Sequence, residues 1–214
     1  MSISARIRSS YKVGRIISMT RNSGLWVLAT MKRVILRSEI RKRRELHIHF
    51  GCGNINDARF LNIDARPFYH VDFVTRSPML RPFGNGSADS IYACHVFEHF
   101  PVSQQAAVVK RWFEILKPGG KLRLSVPDFD KLIAKYIEGN RNIRDIEFML
   151  MGGQDYRGNF HHAIFNRDHL TCVLESAGFV NILNWHPKDE KNWPRDHSWN
   201  VDISLNLVGE KPIQ

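Results

Sequence analysis

The chain has 214 residues, 43% of them apolar, and a formal charge of +10. That suits one globular domain with a full core plus a short arm. No apolar run of roughly 18 residues occurs, which argues against a spanning helix. The three cysteines, Cys52, Cys94 and Cys172, are widely spaced. They form neither a CxxC metal pattern nor a disulfide framework, as expected of a cytoplasmic chain.

Charge divides the chain in two. Residues 1–44 hold twelve Lys/Arg against one acid, Glu39, and so carry +11, while residues 45–214 carry −1. Within this basic arm, "SGLWVLATMKRVILRSEIRKRR" reads as an amphipathic helix. Leu25, Leu28, Met31 and Ile35 form its stripe, flanked by Trp26 and Val34. Ser23 is its expected cap. The plainest role for the stripe is packing on the body. An anionic membrane surface comes second and nucleic acid third. Arg or Lys interrupts every apolar stretch of the arm, so no secretory leader is expected.

From Glu45 to the end, at 214, strand and helix patterns alternate. Strands are expected at Leu46–Phe50, Phe60–Asp64, Val71–Val74, Ser90–Cys94, Lys121–Val126, Val180–Asn184 and Val201–Val208. Helices are expected at Ser103–Leu116, Asp128–Glu138 and Asn166–Ala177, with "KPGG" stopping the first and residues 140–165 irregular. Such alternation means an open, mostly parallel α/β sheet. Ligands of such sheets bind beyond the carboxyl ends of the strands.

"LHIHFGCGNINDARFLNID" places Gly51 and Gly53 at the first of those ends and Asp64 at the second. Glycine lets the backbone turn sharply and lets a ligand approach closely. A dinucleotide fingerprint would place a third glycine where Asn56 stands, and its acid about 20 residues on. A cofactor with a ribose and no phosphate fits better, with Asp64 accepting from the ribose hydroxyls. A plain turn between strands fits the spacing equally well.

"LHIHFGCGN", "LNIDARP", "PFGNGSADSIYACHVFEHF" and "LKPGGKLRLSVPD" stand in order, followed by "NFHHAIFNRDHLTCVLESAGF" and "ISLNLVGEKP". Together they resemble the motifs of class I S-adenosylmethionine-dependent methyltransferases over about residues 45–211. The likeness is greatest to a small bacterial branch of the type 11 methyltransferase-domain family, often encoded near surface-glycan genes. The resemblance implies a Rossmann-like, seven-stranded sheet with an antiparallel last strand. It implies S-adenosylmethionine as cofactor. Gly51, Cys52, Gly53 and Asn54 would line its methionine part. Asp64 would hold the ribose, followed by Ala65. Met79 or Leu80 would cover the adenine, and Cys94 and His95 would close the pocket. Two departures stand out. His49 occupies the place of an acid two residues before the first glycine, and only residues 54–59 fill the place of the usual first helix.

"HVFEH" sits where a proton acceptor belongs. On a helix starting there, His95, Glu98 and His99 share a face. His99 is the expected base, with Glu98 orienting it or acting itself. Read as HxxEH, the letters match an inverted zinc-protease motif, which belongs inside a helix rather than after a strand. They also resemble an ExxEH by which some O-methyltransferases hold a divalent ion. His161 or His162 could join such a site, but His95 replaces its first acid, so a metal is the less favoured reading. In "MGGQDYRGNFHH", Gln154, Tyr156 and His161 suit a polar acceptor. Trp185, Trp193 and Trp199 could stack on a sugar or pack beneath a loop.

The expected activity is therefore O-methylation of a hydroxyl on a glycan or glycolipid precursor, with the arm on the inner face of the membrane. An RNA methyltransferase using the arm is the first alternative, and a non-catalytic module with the same fold the second.

Overall fold

The structure, a computed structural model, describes residues 24–139, 142–191 and 193–213. Ser23 and the arm before it lie outside those residues.

Seven strands form one sheet: β1 (His47–Phe50), β2 (Phe60–Asp64), β3 (Phe73–Val74), β4 (Ala88–Cys94), β5 (Leu116–Pro127), β6 (Val180–Asn184) and β7 (Ser204–Glu210). Their spatial order is β3-β2-β1-β4-β5-β7-β6. The first five pair in parallel, and β7 runs antiparallel to both β5 and β6. Among the described residues five helices accompany them: α1 (24–42), α2 (Val102–Ile115), α3 (Phe129–Glu138), α4 (Arg144–Met151) and α5 (Arg167–Ser176).

Strand alternation splits the interior. Ile48, Phe50, Leu61, Ile63, Ile91, Ala93, Leu122 and Leu124 join one apolar cluster with Val108, Val109, Trp112 and Ile115 of α2 and Leu170 and Leu174 of α5. Phe60, Tyr92 and Cys94 join a second cluster with Trp193, against which Trp185 and Trp199 pack. His49 sits in the same ring stack, 4.9 Å from Tyr92 and 5.7 Å from Phe60 by centroid. The tail tryptophans thus serve as packing.

This explains the missing first helix. β2 does begin at Phe60, in parallel register with His47, and residues 51–59 make the crossover without a helix. A chain covering about 3.3 Å per residue returns easily over a strand this short.

Four expectations change. Residues 140–165 contain α4, of which only Ile146 is buried. β5 includes "KPGG", because the amide of Gly119 donates to Lys211 O (2.8 Å) and the amide of Lys211 to Gly120 O (2.9 Å), extending the pairing with the chain's end. The last strand shifts to Ser204–Glu210, since a 3₁₀ turn at His197–Trp199 and a turn at 201–203 precede it. On α1 the core receives Leu36 and Ile40, whereas Met31 and Ile35 are exposed. Lys32 fixes that rotation by donating to Tyr69 O (2.7 Å) and Val71 O (3.0 Å).

Asn166 caps α5, its Oδ1 accepting from the His169 amide at 3.0 Å. Replacing it with alanine is expected to cost about 1 kcal/mol, read as a lower urea midpoint with an unchanged slope.

Candidate active site

The carboxyl ends of β1, β2 and β4 open on a cavity of about 630 Å³, within the usual range for small-molecule sites. Gly51, Asp64, Ala65, His95 and His99 line it, with Arg66, Thr75, Pro78, Val96, Gln104 and Tyr156 among the others.

The tip of β1 is shaped by its neighbour strand. The amides of Gly51 and Cys52 both donate to Ile63 O, at 2.8 and 3.0 Å. Gly51 has φ +74°, and a Cβ there would lie 2.2 Å from Val96 Cγ2. Asp64 is 6% exposed. Its Oδ2 accepts from the Gly53 amide and its Oδ1 from the Arg66 amide, both at 2.8 Å. Two backbone donors thus orient the carboxylate at the cavity wall. Arg66 Nε adds a longer bond to Oδ1, at 3.3 Å, so the lone pair left for a diol is on Oδ2. The Arg66 guanidinium stacks between Phe68 and Tyr156, 5.0 and 5.1 Å from their ring centres. That ties the insert, the segment between α4 and α5 at 152–166, to this wall.

Helix α2 holds the opposite wall. Trp112 Nε1 donates to Pro78 O (2.8 Å) and Arg111 Nε to Met79 O (3.1 Å). Pro78 lines the cavity while Met79 packs against the core. Leu80, 1% exposed, is a core residue and does not reach the cavity. Cys52 is buried beside Gly53. Cys94 faces the tryptophan cluster on the other side of the sheet and does not close the cavity. Cys94 shares the parity of Tyr92, which alternation alone could have revealed. Gly53 and Asn54 do not line the cavity. His49 points into the aromatic cluster, where burial lowers its pKa to about 4, so no charge stands in the place of the expected acid.

After β4 the chain makes a 3₁₀ turn, Phe97–His99, rather than the expected helix. His95 takes φ +50°, and this turn still gathers the three predicted side chains. His95 Nδ1 lies 3.4 Å from Glu98 Oε1. From the insert, His161 Nε2 comes to 3.8 Å from the same oxygen. The amides of His162 and Ala163 donate to Glu98 O at 2.8 and 3.2 Å, pinning the insert here. Burial pushes the Glu98 carboxyl up to about 8. Burial, then neighbouring imidazoles, takes His95 down to about 3 and His161 to about 4. Burial also lowers His99. At neutral pH the imidazoles are therefore uncharged, and His99, on the cavity wall, can accept a proton.

A family model described as "Methyltransferase domain" matches residues 27–184. The chain belongs to that family. It is a class I S-adenosylmethionine-dependent methyltransferase. No curated protein matches it. Solved structures share the fold. A chain of the Haloferax volcanii complex between the Trm112 methyltransferase activator and the putative methyltransferase aligns at TM-score 0.51 and 12% identity, covering 90% of this methyltransferase and 98% of that chain. The Burkholderia thailandensis 1,6-didemethyltoxoflavin-N1-methyltransferase aligns at 0.50 and 15%, covering 97% and 86%. An Archaeoglobus fulgidus SAM-dependent methyltransferase aligns at 0.50 and 12%, covering 85% and 93%. The expected seven-stranded topology of this methyltransferase family is the one observed. Among its described residues no helix is long and apolar enough to cross a membrane. The site fits the cofactor at the two places where its shape is most demanding, the side-chain-free tip of β1 and the fixed carboxylate of Asp64.

Proposed function

We infer that the acceptor is a hydroxyl of a glycan or glycolipid precursor, met at the inner face of the membrane. The observation behind this is the uncharged His99 on the cavity wall, beside Glu98 and His161. Those are groups suited to taking a proton from a weakly acidic oxygen. When bound, S-adenosylmethionine supplies the methyl group: the acceptor oxygen bonds to its carbon as the carbon–sulfur bond breaks, the electron pair staying on sulfur. The residues do the rest. Gly51 and Asp64 bind, Ala65 and Pro78 shape the wall, and Tyr156 and Gln104 offer polar contacts to the acceptor. The hydroxyl proton passes to the Glu98–His99–His161 cluster.

The arm supports the membrane part of this reading. Trp26, Val27, Met31, Val34 and Ile35 of α1 are all exposed, and Arg33, Arg37, Arg41 and Lys42 interleave with them. Apolar side chains among cations suit an anionic lipid surface. Removing residues 1–40 would strip Leu36 and Ile40 from the core, so the better variant is Trp26→Asp with Val34→Asp. It is expected to lose flotation with anionic liposomes while keeping its melting temperature. Flotation equal to wild type would defeat the membrane reading. Acceptor class is tested by incubating methyl-labelled S-adenosylmethionine with lipid-linked glycan and with total RNA. Label in an alkali-stable ether of the glycan is expected, and label in RNA instead would defeat the assignment.

A further inference from the structure

Glu98, His99 and His161 each bring one ligand atom to a common point, the three atoms lying within 4.8 Å of one another. Among the described residues no other such group of His, Cys, Asp and Glu occurs. Hydrogen-bond directions show what is missing at its centre.

Glu98 is fully buried, and neither of its carboxylate oxygens has a hydrogen-bond partner. Two imidazole nitrogens approach Oε1, His95 Nδ1 to 3.4 Å and His161 Nε2 to 3.8 Å, and His99 joins the group within 4.8 Å. His99 Nδ1 lies 3.0 Å from Phe160 O, and His161 Nδ1 2.9 Å from Met149 O. A backbone carbonyl only accepts, so both Nδ1 atoms carry the proton and both Nε2 atoms are bare. His95 follows by one further step. The Ser204 hydroxyl donates to His197 O (2.8 Å). It must therefore accept from His95 Nε2, 3.0 Å away. That leaves His95 Nδ1 bare, 3.4 Å from Glu98 Oε1. Three bare imidazole nitrogens thus crowd one buried carboxyl, which even when protonated has a single proton to offer them. Buried polar groups in that state are rare and costly.

A cation resolves the conflict. Backbone carbonyls holding Nδ1–H are the outer partners that orient metal-binding imidazoles. The separation of His161 Nε2 and Glu98 Oε1, 3.8 Å, is too long for a hydrogen bond. It is close to the ~3.4 Å between ligands of a tetrahedral ion with bonds of about 2.1 Å. Two nitrogens and one carboxylate select zinc or a similar ion over magnesium, which prefers an all-oxygen shell. We propose that Glu98, His99 and His161 form a zinc-type divalent-cation site at the acceptor end of the cavity, with His95 as a neighbouring donor. Because His95 and His99 both line the cavity, the ion's remaining position faces it. Resting on the proposed O-methylation, its role is to hold the acceptor hydroxyl and lower its pKa, as zinc does for water; with the ion bound the three ligands' lone pairs are taken, and the proton leaves to solvent in the cavity.

The test is zinc titration of the chelator-stripped full chain, followed by calorimetry and melting temperature, with no cofactor or acceptor present. One zinc per chain and a raised melting temperature are expected. Glu98→Gln and His161→Ala should each weaken zinc by more than the roughly 10- to 100-fold that loss of an outer partner costs. If Glu98→Gln does not fold, His161→Ala decides alone, since it lies on the insert. No zinc uptake by the wild type, uptake that the folded variants leave unchanged, or magnesium binding as tightly as zinc overturns the proposal. Failure of the O-methylation reading would show separately, in the acceptor assay.

Discussion

Gly51→Ala is expected to abolish cofactor binding and to lower stability. Two costs add at that position. The backbone sits at φ +74°, where a Cβ costs roughly 1–2 kcal/mol. The new carbon would also lie 2.2 Å from Val96 Cγ2, closer than any real contact. Val96 cannot simply step back, because it belongs to the turn that holds His95 and Glu98 and packs against the core. Relief must come from the tip of β1, which moves the Gly51 and Cys52 amides off Ile63 O and pushes the wall into the cavity. Gly86→Ala is the control. Gly86 has φ +63°, and a Cβ added there would meet nothing within 4 Å, so only the backbone cost of roughly 1–2 kcal/mol applies. Calorimetry with S-adenosylhomocysteine should then give no heat for Gly51→Ala and normal affinity for Gly86→Ala. Equal binding by the two variants would show that the tip of β1 is not the cofactor wall.

The same residues show what the sequence discloses about the site. Gly51 and Asp64 are legible because their demands are local, a tight turn at one strand end and a carboxylate at the next. Their joint purpose, Asp64 accepting from the Gly53 amide, rests on two strands being parallel neighbours, which alternation of elements already suggests. The HxxEH letters disclose the chemistry but not the geometry. A 3₁₀ turn with His95 at positive φ replaces the helix. The partner that completes the cluster, His161, arrives from an insert distant in the chain, and no local pattern announces that meeting. Helix α4 is illegible because it spans only eight residues, about two turns, and buries only Ile146, too short a run for an apolar period to stand out. Leu80 and Cys94 are misplaced for a simpler reason. A resemblance aligns positions, while strand parity and core packing decide where a side chain points.

Replacing His49 with leucine is expected to make the fold markedly more acid-resistant. His49 is 1% exposed, and its Nδ1 has no hydrogen-bond partner. Burial outweighs the attraction of Asp196, Asp57 and Asp64 and lowers its pKa from 6.5 to about 4. The unfolded chain therefore takes up this proton first as pH falls. Stability linked to the group is whole above pH 6.5 and drains away down to about pH 4, where the folded imidazole also titrates. A displacement of that size corresponds to about 3 kcal/mol. His95 and His161 are lowered in the same direction, so the wild type loses more than this in total, but those losses persist in both proteins and cancel on comparison. Leucine also removes an unpaired nitrogen from a ring stack of Phe60 and Tyr92, so the variant should be no less stable at pH 7. Urea unfolding at pH 7 and pH 4 measures the difference directly. If wild type and His49→Leu lose the same stability between those two values, the imidazole is not held neutral by its surroundings.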